Sequence, residues 1–133
     1  MPGGMTIGRL AKEAGVNVET IRYYQRRGLL DEPQKPAGGH RRYLPSVIKR
    51  IAFIRRAQAH GFSLAEVETL LRYSDGTSWK ETRQLAERKL ENLNVHIGQL
   101  RKMRDSLKTL IDKSIAGKGK GKCPIIKSLD GGE

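Results

Sequence analysis

The sequence has a single cysteine, Cys123, among 133 residues, and one thiol cannot close a disulfide within the chain. A scaffold held by disulfide staples is excluded, and a reducing compartment is the expected setting. Long apolar runs are missing too: no stretch approaches the roughly 18 consecutive apolar residues of a membrane span, so no membrane contact is expected. The opening MPGGMT lacks a positive segment followed by an apolar run, so the cytoplasm is the expected location. Acidic side chains are scarce, 14 Asp and Glu against 26 Lys and Arg, which leaves a formal charge of +12. That excess suits a polyanionic partner. It does not locate the contact, because residues 1–76 hold 13 basic and 7 acidic side chains and residues 77–133 hold 13 and 7 again, +6 each.

Catalytic signatures are absent as well. There is no nucleophile elbow, phosphate-cradling loop or zinc-protease motif, and His40, His60 and His96 sit in unrelated segments, so an enzyme is not expected. A length of 133 residues allows one modest domain and an appendage but not two large cores.

What is present begins with Thr6 to Leu30, TIGRLAKEAGVNVETIRYYQRRGLL. Ile7, Leu10, Ala11 and Ala14 follow the i, i+3, i+4, i+7 spacing of one buried helical stripe. Gly15 allows the left-handed residue that ends a helix, and Asn17 is a good N-cap for the next. At about 100° per residue, Ile21 and Tyr24 fall on one side of that second helix, while Glu19, Arg22, Tyr23 and Arg26 fall on the other. A helix of this kind can enter the major groove of DNA, where guanidinium groups pair with guanine edges or phosphates. An amphipathic helix that exposes arginines only to water has the same pattern, so the rest of the chain has to decide.

Asp31 to Tyr43, DEPQKPAGGHRRY, follows. Pro33 and Pro36 oppose helix, Gly38-Gly39 permits a tight reversal, and HRRY resumes in extended form, which predicts a two-stranded wing. Arg41, Arg42 and Tyr43 would lie just past its tip, within reach of the phosphate backbone. Pro45 then suits the first turn of a helix running through SVIKRIAFIRRAQAH to Gly61. Val47, Ile48, Ile51, Ile54 and Ala57 form its apolar side; Arg50, Arg55 and Arg56 stay outside. Ser63-Leu-Ala-Glu66 has capping-box form before Val67, Leu70 and Leu71, predicting a further short helix.

After the turn at Ser74 to Thr77 the pattern changes. Ser78-Trp-Lys-Glu81 is another capping box, and no proline or turn cluster appears until Gly117, which predicts a helix of about 37 residues and 55 Å. Ala86, Leu90, Leu93, Ile97, Leu100, Leu107 and Ile111 alternate steps of three and four, with Arg104 interrupting one position. This is a coiled-coil seam with no second element in the chain to cover it, so a homodimer is expected. The Gly-Lys run beyond it, AGKGKGKCPIIKSLDGGE, predicts a mobile loop, with Ile125, Ile126 and Leu129 as a short apolar cluster. Lysines close to Cys123 would favour its thiolate.

The first stretch, the wing GGHRRY, RAQAHGFSLAEVETLL, the long helix after DGTSWKE and the terminal CPIIKSLDGG together closely resemble the MerR family of bacterial transcription regulators, and within it the mercury-resistance operon regulators. The resemblance implies a mainly α fold: a winged helix-turn-helix DNA-binding domain over 5–76, a long antiparallel coiled-coil dimerisation helix over 77–116, and a short C-terminal effector loop and tail over 117–133. It also implies binding to a palindromic operator in double-stranded DNA, with RNA polymerase at the promoter, and activation by distorting that DNA when an effector binds. The candidate contacts are Val18, Thr20, Arg22, Tyr23 and Arg26 on the reading helix, and Lys35, Arg41, Arg42 and Tyr43 in the wing.

The effector end departs from that family's pattern. Trp79, Ser114 and Cys123 stand where mercury regulators have three cysteines, and a hydroxyl and an indole are poor partners for a soft metal, so a three-thiolate site cannot form at these positions. Asp112 and His96 match no metal-ligand spacing. The effector is thus a thiophilic metal held through Cys123 and other groups, an oxidant or electrophile attacking Cys123, an organic ligand stacking on Trp79, or nothing at all in a decoupled regulator. From another class, a nucleoid-compacting structural protein fits the charge but not a wing followed by a dimer helix.

Overall fold

The computed structural model describes residues 4–36 and 38–131; Ala37 of the expected wing and the last two residues of the expected tail lie outside it. The described residues form six helices and no strand: α1 Ile7–Ala14, α2 Val18–Arg26, α3 Ser46–Ala59, α4 Leu64–Arg72, α5 Trp79–Ala116 and α6 Pro124–Leu129. They divide into two compact units, Met1–Thr82 and Arg83–Glu133. No helix among the described residues is long and apolar enough to cross a membrane.

Local chemistry sets the helix boundaries in the first unit. Thr6 caps α1 by accepting from the Arg9 N–H at 3.2 Å, and Gly15 ends it at φ 71°. Asn17 caps α2 through the Thr20 N–H at 2.8 Å. Between the last residue of α1 and the Asn17 cap lie only Gly15 and Val16, so the two helices join at a turn that glycine makes possible. The Ser63 and Glu66 capping box before α4 is complete in both directions, at 3.2 and 2.8 Å.

The core of this unit is small and apolar. Leu10, Ile21, Ile51, Ile54 and Val67 are fully buried, with Tyr24, Leu29, Leu30 and Tyr43 nearly so. Burial pushes the Tyr24 hydroxyl pKa up, opposed by the smaller effect of the Arg55 guanidinium. The hydroxyl thus stays protonated and donates to Gln58 Oε1 at 2.9 Å, tying α2 to α3. Two α3 arginines expected on the outer face do structural work as well: Arg50 donates to the Leu29 carbonyl at 2.8 Å and Arg55 to the Gly15 carbonyl at 3.3 Å. They satisfy backbone oxygens where α1 and α2 end.

The two-stranded wing is not built as expected. Within 31–43 the chain turns at Gly38 and Gly39, where the Gly39 N–H meets the Pro36 carbonyl at 3.1 Å, but among the described residues its two arms form no backbone ladder with each other. Tyr43 instead pairs with Met5 in a single antiparallel bridge, N–H to O at 2.8 Å both ways. Pro33 and Pro36 have no N–H to offer a ladder, so the returning arm takes its partner from the segment before α1.

Helix α5, most of which lies in the second unit, runs 38 residues, one more than the sequence predicts. Its seam is uncovered in the single chain: Leu90, Leu93, Ile97, Leu100, Leu107 and Ile111 are all exposed. Past Ala116 the backbone takes left-handed values at Lys118, Gly119 and Gly121, then enters α6, a helix not expected from sequence that holds the short apolar cluster Ile125, Ile126 and Leu129. Proline at its first position and a carbonyl-satisfying turn at Asp130 and Gly131 mark it, but six residues are too few for periodicity to reveal.

Ile51 lies at the centre of the first core. Replacing it with alanine is expected to lower stability by about 2 to 5 kcal/mol, read from urea unfolding of the full chain at fixed concentration; a loss under about 1 kcal/mol would remove it from the core that matters.

Candidate nucleic-acid interface and effector end

With Ile21 and Tyr24 buried, the rotation of α2 is fixed and its opposite face meets solvent. Arg22 is exposed there and pairs with Glu19 at 3.2 Å. Tyr23, 40% exposed, gathers two arginines: the Arg26 and Arg27 guanidinium carbons lie 5.8 and 6.0 Å from its ring centre, and Arg27 donates to its hydroxyl at 3.1 Å. Cation–π contact pre-orients both cations on one face. Val18 and Thr20 are half-buried at the start of the helix, and the Thr20 hydroxyl donates to the capping Asn17 oxygen at 2.9 Å.

The loop that follows meets this face. Arg22 of α2 and Lys35 and Arg41 of the loop line one groove of about 310 Å³ together with Gln25, Glu32 and His40. Arg42 lines a second groove of about 400 Å³, with Leu44, Val47 and Arg50. Of the expected site residues, Arg22, Lys35, Arg41, Arg42 and Tyr43 line these two grooves, while Val18, Thr20 and Tyr23 lie along α2 outside them. Tyr43 lines both grooves but is only 3% exposed, with its hydroxyl taken by Gln25 at 2.8 Å and its backbone bridged to Met5. Thr6, Ile7, Gln25, Glu32 and His40 also line the first groove without having been expected there, and nothing in their spacing marks them. Arg41 donates to the Pro33 carbonyl at 2.9 Å and lies 3.6 Å from a Glu32 oxygen. A polyanion entering the groove therefore exchanges with a carboxylate already beside that arginine, and an exposed ion pair of this kind is a weak competitor.

At the other end, the left-handed turn from Lys118 to Gly121 returns the chain so that Ser114 Oγ and Cys123 Sγ are 3.4 Å apart. The Ser114 hydroxyl, followed by the N–H groups of Ile125 and Ile126, holds the Cys123 pKa below the usual thiol value. The expected lysine contribution is not among those causes, and Lys122 instead pairs with Asp130. Trp79 is 76% exposed at the start of α5. No group of three His, Cys, Asp or Glu side chains among the described residues could hold a metal ion. One soft sulfur beside one neutral hydroxyl does not fit a three-thiolate centre.

A two-helix reader with a basic outer face, joined to a long helix with an apolar seam, defines a helix-turn-helix regulatory protein. The chain matches the family described as MerR HTH family regulatory protein over residues 5–74, and that described as MerR, DNA binding over residues 48–110. It belongs to the MerR family. It is 49% identical over 127 residues to the mercuric resistance operon regulatory protein of Shigella flexneri, covering 96% of this chain and 88% of that one. Among solved structures it is similar to the transcription regulator PbrR691 from Ralstonia metallidurans CH34 in complex with lead(II), with TM-score 0.81, 31% identity and coverage of 94% and 98% of the two chains. HiNmlR, a MerR family regulator lacking the sensor domain and bound to promoter DNA, shares the fold with TM-score 0.59 at 20% identity, covering 92% and 94%.

Because the Ser114 hydroxyl is the largest cause of the Cys123 shift, Ser114→Ala should raise the thiol pKa toward its ordinary value. The pH dependence of alkylation by iodoacetamide measures this; an unchanged profile would show that the hydroxyl does not act on the sulfur.

Proposed function

We propose that this chain is a dimeric, non-enzymatic, cytoplasmic transcription regulator that binds a palindromic operator and activates its promoter when an effector distorts the DNA, within a metal-resistance operon of the mercury type. The observation that carries the DNA-binding part is the convergence of Arg22 on α2 with Lys35 and Arg41 of the following loop on one groove. Val18, Thr20, Tyr23 and Arg26 extend that surface along the helix, and Arg42 extends it beyond the loop. Phosphate contacts from the loop position the protein and base-edge contacts from α2 read sequence.

The dimer rests on the uncovered seam of α5. A stripe of this length exposed on a lone helix is unfavourable in water, and a second copy supplies the matching surface. Two copies related by a two-fold axis present two reading helices to two half-sites, and RNA polymerase engages the same promoter. Metal responsiveness is supported by the relatives' names and by the lead(II)-bound neighbour. A second reading is favoured by the Ser114 and Cys123 pair: with one thiol whose anionic form is stabilised, an oxidant or electrophile is the effector, or an organic ligand at Trp79.

Footprinting on a duplex selected from a random library is expected to give one discrete palindromic protection, whereas diffuse coverage would favour a nucleoid-compacting protein. Arg22→Ala should weaken binding to that duplex by about 1 to 3 kcal/mol, and unchanged affinity would take Arg22 off the reading face. Sedimentation of the full chain at micromolar concentration is expected to show a dimer; a monomer would sink the pairing of α5. Equilibrium binding of mercury(II), alone and with Cys123→Ala, separates the effectors: submicromolar binding lost in the variant supports the metal reading, while no binding together with a covalent adduct at Cys123 by mass spectrometry supports the electrophile.

A further inference from the structure

Tyr43 leaves an unexplained arrangement at the centre of the DNA-binding unit. Its hydroxyl accepts a hydrogen bond from Gln25 Nε2 at 2.8 Å, and its backbone is fixed from the other side by both bonds to Met5 at 2.8 Å. Gln25 is half-buried on α2 between the buried Tyr24 and the exposed Arg26. One side chain thus spans the reading helix and the loop that carries Arg41 and Arg42. The approach of the segment before α1 is equally tight. A Cβ added to Gly4 would lie 2.6 Å from Arg42 Cβ, 3.2 Å from the Arg42 carbonyl carbon and 3.2 Å from the Tyr43 carbonyl oxygen. Those are the root of a side chain and two backbone atoms, so the loop itself would have to move.

We infer that Gly4, Gln25 and Tyr43 are positioning residues that fix the separation between the base-reading face of α2 and the phosphate-contacting arginines of the loop. The inference rests on the DNA-binding reading. Among the described residues the loop has no strand ladder of its own, so its position depends on contacts from outside, and these supply them from each side. Phosphates along a duplex are evenly spaced, so arginines displaced by an ångström or two lose their phosphates while α2 still docks. Loss of the outside contacts therefore removes the phosphate contribution selectively.

The test uses the full chain and a duplex selected by the wild type from a random library, with affinity followed against salt concentration. Arg41→Ala with Arg42→Ala should lower the magnitude of the salt slope by about two, one released counterion for each lost phosphate contact. Tyr43→Phe, which keeps the buried ring, should weaken binding about three- to tenfold and lower the slope by about one. Gly4→Ala should act in the same direction. In the double-arginine background neither change should have any further effect. Tyr43→Phe and Gly4→Ala with the wild-type slope would overturn the assignment. So would losses that persist undiminished in the arginine-free background, as a general loosening of the fold predicts. If Gly4→Ala does not fold, Tyr43→Phe decides alone. A wild-type chain that enriches no duplex overturns the DNA-binding reading and this assignment with it, whereas a wild type that binds beside an indifferent Tyr43→Phe overturns only the assignment.

Discussion

Ile21 is fully buried on a helix of nine residues, and the unit that carries it depends on that contact. A helix so short has little stability of its own in water, so it is held by what it buries. Burying Ile21 and Tyr24 fixes the angle of α2 about its axis, and the angle decides which residues face out. Arg22, Tyr23 and Arg26 are on the surface because two neighbours are not. The hydrogen bond from Tyr24 to Gln58 and the two carbonyl contacts of Arg50 and Arg55 set the remaining degrees of freedom, so the geometry of a polar surface is determined by an apolar cluster beneath it.

The helices of this unit were legible in the sequence because each boundary is a local event. Thr6, Asn17 and Ser63 cap with their own side chains and Gly15 supplies its own left-handed residue, so no distant contact is needed to place them. The loop was less legible for the opposite reason. Tyr43 finds its partner at Met5, 38 positions away in sequence, and a hairpin expectation built on Gly38-Gly39 has no access to that pairing. Nor does the sequence show that Tyr43 is nearly buried, with its hydroxyl held by Gln25.

At the C-terminal end the sequence told what was missing and the structure told what replaced it. The spacing of Ser114 and Cys123, nine residues with a glycine-rich turn between them, does not by itself bring the two together. The left-handed run through Lys118, Gly119 and Gly121 does. Glycine meets that conformation without strain at two of the positions, while Lys118 adopts it at a cost of about 1 to 2 kcal/mol. Lysines in the turn looked like the source of any thiolate stabilisation, but hydrogen bonding at contact distance dominates over exposed charges that water screens.

Ser114 has one more property that follows from counting. It lies three residues past Ile111 and so continues the alternating steps of the apolar stripe, on the last turns of the same unbroken helix. The hydroxyl that touches Cys123 is therefore rooted in a rigid rod, not in a flexible tail. A change in the state of the sulfur is thus felt first by a residue in register with the apolar stripe, and not by a side chain on the terminal segment alone.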